Sequence, residues 1–460
     1  MNDIAWTVTT EHDPWQTRPG ITLGAVTGMP DVFVTDAVSA LPLEGFGASF
    51  NELGWQALAA LDESQREQIM REFFAPGVGL NFTLCRMPIG ANDFSRDWYS
   101  FDEVADDFDL AHFSLANDDD TLVPFIRAAQ THQPDLRLWA SPWSPPTWMK
   151  TNGHYAAAMP IPGFQDVENG LRADQVGAEG TDMMKQDDRY LRAYAAYFGR
   201  FVDEYADRGI AVGMVMPQNE FNSAQPFPSC TWTPEGLARF IRHLGPQMRR
   251  RGVDVFLGTL ERSDDGLVST VLDDPEAAWH IDGFGVQWHG KGALPYLHRA
   301  HPSARIFQTE QECGDGKNDW RYCRYAWTLM KHYFAHGATG YMYWNMALEE
   351  GGLSRWGWAQ NSLVVVDAAA GEFAFTPEFY LLKHVSHFVE PGARVVETLS
   401  YTGFENQLVF RNPDGALVIV VHNDSGAVQP ISVLVDGRAL KVELPADSFN
   451  TFVIPAASAE

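Results

Sequence analysis

Carboxylates that directly follow short apolar runs are the first chemically suggestive feature of this sequence. Glu220 closes the junction Gln218-Asn219-Glu220, and Glu310 closes Gln308-Thr309-Glu310. Other apolar runs end in polar and aromatic residues: Arg86-Met87-Pro88 leads on to Asp93, Ser141-Pro142 to Trp143, Gln287 to Trp288 and His289, and Trp344 to Asn345. Two facing carboxyls suit cleavage of a glycosidic bond, which needs a proton for the leaving oxygen and a stabiliser for an oxocarbenium-like centre. Neighbouring carboxyls also push their pKa values apart, which keeps one protonated for acid work. A lone Glu after a strand is usually a solvated loop residue or a helix N-terminal charge. Two of them at strand ends, among Trp143, Trp288 and Trp344 as a candidate sugar platform, form a stronger pattern. Glu312 rivals Glu310, since a two-residue period places both on one face; Glu310 directly follows its strand. Trp6, Trp15 and Trp55 read as packing residues, and Glu349-Glu350 as loop charges.

Positioning such groups requires strands that run in parallel and open at one end. From Gly45 onward the texture alternates between strand and helix. Strands are expected near 45–50, 80–87, 136–141, 211–216, 255–259, 283–287, 305–309 and 340–344. Helices are expected over 64–74 with a Ser64/Glu67 capping box, 122–130, 188–208, and 233–251 with Thr233 as cap. About eight strand-helix units predict a closed (β/α)8 TIM barrel, an α/β fold whose chemistry sits at the C-terminal strand ends. Glu220 and Glu310 would then end the fourth and seventh strands, across the mouth from one another. The open doubly wound sheet is disfavoured because G-x-G-x-x-G is absent. After Pro391 short strands recur with turn chemistry such as Asn412-Pro413-Asp414-Gly415. Strands at 21–26 and 32–35 would complete a side β-sandwich. The expected division is therefore 1–44 for N-terminal sandwich strands, 45–390 for the barrel and 391–460 for the C-terminal sandwich.

Composition narrows the partners. The 460 residues are 45% apolar and 20% charged, enough for a large core without disulfide staples. Fifteen Trp exceed ordinary packing needs, and their flat faces suit sugars or bases. A net charge of −27 repels nucleic acid, and Arg249-Arg250-Arg251 reads as a solvated helix end, so carbohydrate is preferred. Cys85, Cys230, Cys313 and Cys323 lack metal spacing; Cys313 and Cys323 are near enough to pair, though free thiols are the simpler reading. No metal and no cofactor is expected, with H-E-x-x-H absent, and a Ser nucleophile is disfavoured because G-x-S-x-G is missing. No run of 18 apolar residues spans a membrane. With no basic and apolar leader, the chain as it stands is expected in the cytoplasm, and a cleaved signal would leave the same picture.

These residues carry a resemblance to a known family. Gly45-Phe46-Gly47-Ala48, the block Ala140-Ser141-Pro142-Trp143-Ser144-Pro145-Pro146-Thr147-Trp148-Met149-Lys150-Thr151-Asn152-Gly153, Gln218-Asn219-Glu220, Thr309-Glu310, Tyr343-Trp344-Asn345, Leu363–Asp367 and the stretch 379–388 resemble glycoside hydrolase family 30, in its glucosylceramidase-like branch. The resemblance spans nearly the whole chain and includes a sandwich made by both termini. It implies a retaining β-glycosidase with a covalent glycosyl-enzyme intermediate, Glu220 as acid/base and Glu310, not Glu312, as nucleophile. It further implies that Asn219 contacts the sugar 2-hydroxyl, that Trp143 and Trp344 contact the sugar, and that Glu52 contacts distal hydroxyls.

The sequence departs from the family pattern at three places. Ala48 stands for a frequent Gly and Glu52 for a frequent Asp, while Gln287-Trp288-His289 replaces His-Trp-Tyr, so that His289 would supply the nucleophile's hydrogen bond. The expected substrates are carbohydrates or glycoconjugates, β-glucosides first. β-Xylosidase, β-fucosidase or endo-β-1,6-glucanase activity on the same frame is the alternative. A non-catalytic carbohydrate-binding barrel is the reading from another class, and intact Glu220 and Glu310 speak against it.

Overall fold

The computed structural model describes residues 4–165 and 167–456. Eight parallel strands close into a barrel in chain order: β1 (Gly45–Ser49), β2 (Leu84–Pro88), β3 (Arg137–Ser141), β4 (Val212–Val215), β5 (Asp254–Leu260), β6 (Gly283–Gln287), β7 (Arg305–Glu310) and β8 (Gly340–Asn345), with β8 paired back to β1. Leu84, Trp139, Met214, Met216, Phe256, Phe307 and Met342 fill its interior as one apolar cluster. Bulky side chains on one side of a strand require space on the other. At Gly47 an added Cβ would sit 1.7 Å from the Leu84 carbonyl oxygen, so β1 and β2 approach closely only because that position has no side chain.

Outer helices bury their apolar stripes against this cylinder. The longest, Asp188–Asp207, lays Leu191, Tyr194, Phe198, Phe201 and Tyr205 inward at three- and four-residue spacing. Helix Pro234–Arg249 starts on Thr233, whose side chain accepts from the Gly236 N–H, as the sequence predicts. The expected Ser64/Glu67 box gives way to Asp62 and Gln65, which close a reciprocal cap for Glu63–Phe74. Both pairs fit the capping rule; the upstream pair wins by starting the helix directly after the buried Leu61.

The second unit is a nine-stranded antiparallel-rich sheet curled on an apolar core of its own. Both termini build it: Ile4–Thr10 pairs antiparallel with Ser448–Ile454, and Val32–Val38 lies between Gln429–Val435 and Arg394–Leu399. The N-terminal strands are Ile4–Thr10, Gln16–Ile21 and Val32–Val38, so the expected strand at 21–26 ends where it was to begin. A fully buried His384 on helix Pro377–Ser386 ties the units together, 2.8 Å from both Thr9 Oγ1 and Thr451 Oγ1. Burial pushes that imidazole down to about 3, so it serves as a neutral bridge. All four cysteines are free and buried, Cys313 and Cys323 included. Among the described residues no helix is long and apolar enough to cross a membrane.

Candidate active site

Glu310 is the last residue of β7, and Glu220 lies just beyond β4 on the turn that follows. The two carboxyls converge on one side chain. Gln287 Nε2, at the end of β6, lies 3.2 Å from Glu310 Oε2 and 3.2 Å from Glu220 Oε1. Their nearest oxygens therefore cannot be farther apart than twice that distance. Inverting pairs need roughly 6.5–9.5 Å for an intervening water, whereas retaining pairs stand about 5–5.5 Å apart.

Three side chains, Gln287 among them, hold Glu310. Arg86 Nη1 on β2 donates to Oε2 at 2.6 Å, and Trp288 Nε1 donates to Oε1 at 2.7 Å. Arg86 is fully buried, and its guanidinium lies 4.3 Å from the Trp143 ring centre, 4.9 Å from Trp139 and 5.2 Å from Trp344. Its other nitrogen donates to Ser141 Oγ at 2.9 Å and Asn219 Oδ1 at 2.7 Å. The carbonyl oxygen of Asn219 also accepts from Thr259 Oγ1 and Gln287 Nε2. With that oxygen occupied, Asn219 can offer the cavity only its amide donors.

Glu220 stands in a different environment. Its backbone adopts a left-handed φ of +49°, and its N–H donates to Thr259 Oγ1 at 2.8 Å. Such a conformation in a non-Gly residue is uncommon and concentrates at functional sites. Burial, and then the nearby Glu310, push the Glu220 carboxyl up to about 7, while Gln287, Arg262 and Arg86 pull it back. A carboxyl so placed holds a proton near neutrality.

A cavity of about 140 Å3 lies over these groups, lined by Asp93, Trp143, Asn219, Glu220, Glu310 and Trp288, with Gln225, Phe227, Glu261, Trp358 and Gln360 completing its wall. Asp93 Oδ1 is buried there without a hydrogen-bond partner among the described residues. Burial first, then Glu310 and Glu220, raise the Asp93 carboxyl well above the ordinary carboxylate range. A larger groove of about 1000 Å3 between the barrel and the sandwich shares no lining residue with this cavity.

The structure brings together Arg86, Asp93, Trp143, Asn219, Glu220, Trp288 and Glu310. Trp344 is fully buried and stacks behind Trp143, with ring centres 5.4 Å apart, so it backs the cavity wall. Glu52 is elsewhere: in the first turn of helix Glu52–Ala59, its carboxylate accepts from Arg96 Nε, the Arg96 N–H, Asn117 Nδ2 and Thr121 Oγ1. Four donors consume it, and the carboxylate that faces the cavity is Asp93. His289 is likewise displaced. It is exposed on the short turn Trp288–Gly292, and the hydrogen bonds expected from it come from Trp288 and Gln287. Glu312 bonds Lys291 Nζ at 2.6 Å and Tyr325 Oη at 2.8 Å, away from the cavity. Sequence reading missed Gln225, Phe227, Trp358 and Gln360, which stand on loops with no strand-end signal. Among the described residues no group of three or more His, Cys, Asp or Glu is arranged to hold a metal.

Known proteins share this architecture. Residues 43–389 match the glycosyl hydrolase family 30 TIM-barrel domain, and residues 392–452 match the glycosyl hydrolase family 30 beta sandwich domain. The lysosomal acid glucosylceramidase of Mus musculus is 30% identical over 445 residues, covering 89% of this chain and 81% of that protein. The endo-1,6-beta-D-glucanase of Neurospora crassa is 26% identical over 443 residues, covering 91% and 86%. Among solved structures, SrfJ from Salmonella typhimurium superposes with a TM-score of 0.86 at 22% identity, over 99% of this chain and 100% of that one, a likeness of fold. A barrel and a sandwich that both match one family, with two carboxyls converging at the barrel mouth, leave one assignment: the chain belongs to glycosyl hydrolase family 30 and is a glycoside hydrolase.

Proposed function

We propose that the enzyme hydrolyses β-glucosides with retention, Glu310 acting as nucleophile and Glu220 as acid and then base. The observation that carries this reading is the single Gln287 nitrogen within 3.2 Å of both carboxyls, which draws them together in the manner of a retaining pair. In the first step Glu310 attacks the anomeric carbon as the bond to the leaving oxygen breaks, and Glu220 gives that oxygen its proton. In the second, Glu220 takes a proton from water, whose oxygen attacks the same carbon and releases Glu310. Arg86 and Trp288 hold and aim Glu310 through their hydrogen bonds, and the Asn219 amide is presented to the neighbouring hydroxyl. The relatives named glucosylceramidase and endo-1,6-beta-D-glucanase both specify a glucosyl unit, which supports glucose as glycone.

The direct test is mass spectrometry after incubation with 2-fluoro β-glycosides of glucose, xylose, galactose and fucose. Label on the Glu310 peptide, fastest with the gluco sugar, is the expected result. Faster labelling by the xylo or fuco sugar would keep the mechanism and reassign the glycone; label on another residue would reject Glu310.

Two further expectations arise here. Because Glu220 must be protonated for the first step and is pushed up to about 7, kcat/KM should fall as pH rises through that value. This alkaline limb should vanish in Glu220→Ala assayed on a dinitrophenyl glucoside; a limb that persists belongs to another group. Trp288→Phe removes a 2.7 Å hydrogen bond to an anion and leaves the ring in place. We expect kcat to fall about 10- to 100-fold with the unfolding midpoint unchanged, as for loss of a bond to a charged group. A kcat within twofold of the parent would show that this bond does not steer Glu310.

A further inference from the structure

A further buried carboxyl stands behind the barrel mouth. Glu378 is the second residue of helix Pro377–Ser386 and has no exposed surface. Its Oε1 accepts from Gln311 Nε2 at 3.2 Å, and its Oε2 accepts from Asn361 Nδ2 at 2.8 Å. Gln311 directly follows Glu310, and Asn361 directly follows Gln360 of the cavity wall. We propose that Glu378 is a positioning residue for the reaction at Glu310, holding through Gln311 and Asn361 the two walls between which the substrate reacts. This rests on the assignment of Glu310 as nucleophile.

The hydrogen-bond directions leave little freedom. Asn361 Oδ1 accepts from the backbone N–H groups of Gly316 at 3.0 Å and Asn318 at 3.1 Å, so its amide nitrogen must face Glu378. Gln311 Oε1 accepts from Tyr341 Oη at 2.9 Å, and its N–H donates to the Met342 carbonyl at 2.9 Å, so its amide nitrogen is committed as well. Two donors converge, and only a group with two acceptors answers both. A Gln of the same shape would escape the cost of burying an acid, yet it would turn an amide N–H toward a fixed donor.

The frame reaches further on the Asn361 side. Asn345 Nδ2, at the end of β8, donates to Gln360 Oε1 at 3.1 Å, and Asn51 Nδ2 donates to Asn345 Oδ1 at 2.8 Å. On the Glu310 side, Thr309 is pinned by its own bond to Gln287 Oε1 at 2.9 Å. The nucleophile thus sits between two anchored neighbours, one of which depends on Glu378. Burial pushes the Glu378 carboxyl up to about 7, against the pull of Asn361, Tyr343 and Gln311. An acid is kept there despite the desolvation cost.

The test is a donor-acceptor swap. Glu378→Gln should slow both kcat and labelling of Glu310 by a 2-fluoro glucoside about 10- to 100-fold, the cost of misplacing a reacting group. KM should stay within about twofold, and substrates with good and poor leaving groups should suffer alike. Asn361→Asp alone sets two carboxyls face to face and should slow the enzyme similarly. Combined, Asn361→Asp and Glu378→Gln restore a complementary pair, and the rate should return to within about threefold of the parent. If Glu378→Gln fails to fold, Asn361→Asp and the double variant give the same reading. Parent-like labelling in Glu378→Gln, a loss confined to KM, or a double variant no faster than the singles would each overturn the proposal. Absence of label on Glu310 in the unaltered enzyme would instead remove the mechanism beneath it, and this role with it.

Discussion

Replacing Glu310 by Ala should lower kcat/KM by at least about 10⁴-fold on every β-glucoside, whatever its leaving group, because loss of a nucleophile removes the covalent path itself. Glu220→Ala should behave differently. A dinitrophenolate departs without a proton, so the first step on that substrate should slow by no more than about tenfold. Alkyl or phenyl glucosides, which need the proton, should lose about 10²- to 10⁴-fold. The second step also loses its base, so the glycosyl-enzyme should accumulate on the activated substrate and show as a burst. Azide needs no base and should discharge the intermediate from the face the leaving group vacated, giving a β-glycosyl azide. The basis for the contrast is structural: Glu310 accepts hydrogen bonds from Arg86 at 2.6 Å and Trp288 at 2.7 Å, whereas Glu220 is buried beside it and pushed up to about 7. Steady-state kinetics on leaving groups of graded basicity, with burst analysis, check both variants. Equal losses on both substrate types would overturn the division of roles.

The barrel was legible because its signals are local and repeated. Each strand is a short apolar run, each run ends in polar or aromatic residues, and parallel strands deliver those ends to one face. That logic places Arg86, Trp143, Asn219, Glu220 and Glu310 together without knowledge of any distance. It fails where the backbone leaves the two-residue period. After β6, Trp288 takes a left-handed φ of +45°, so residues 287 and 288 both reach Glu310 while His289 is carried into solvent. Alternation along a strand cannot foresee such a turn, and neither β propensity nor spacing marks Trp288 for it.

Glu52 and Asp93 show a different limit. Both are acidic residues just past a barrel strand, and sequence alone has no measure of which one finds partners. Glu52 enters a helix capped by Asn51 and is taken up by Arg96, Asn117 and Thr121. Asp93 lies on the longer loop after β2 and keeps a buried oxygen aimed at no protein donor among the described residues. Glu52 still bears on the site at one remove, since Arg96, which it grips, stands three residues from Asp93 in the same loop. The cavity-wall residues Phe227, Trp358 and Gln360 lay beyond reach for the same reason: they belong to long loops whose course is set by tertiary contacts. Trp358, for example, meets Phe227 with ring centres 6.3 Å apart, across more than a hundred residues of chain.

Arg86→Met tests how one cation serves three acids. Glu310, Asp93 and Glu220 all face the Arg86 guanidinium, which burial works to discharge and these carboxyls work to keep charged. An arginine suits the position because it is weakly hydrated, stacks on rings and bonds in a fixed fork. Trp139, Trp143 and Trp344 cover its faces, and its nitrogens reach Glu310, Ser141 and Asn219. Methionine fills much of the same space and brings no charge. We expect kcat/KM to drop by about 10²- to 10³-fold, comparable to removing a preorganised donor from a transition state. Breaking a buried ion pair should also destabilise the fold by about 3–5 kcal/mol at a pH where the carboxyls are ionised. The sign of the pH effect separates this account from simple misfolding. Without that counter-charge the Glu220 and Asp93 carboxyls hold protons to higher pH, so the alkaline limb of kcat/KM should move upward, and stability should recover as pH falls and these unpaired acids become neutral. Arg86→Lys restores charge without the fork; it should return the limb toward its original position while leaving much of the rate loss, since Asn219 and Ser141 lose their common donor. A limb that stays in place in Arg86→Met would mean that Glu220 does not feel this cation, and that Arg86 supports the site through packing alone.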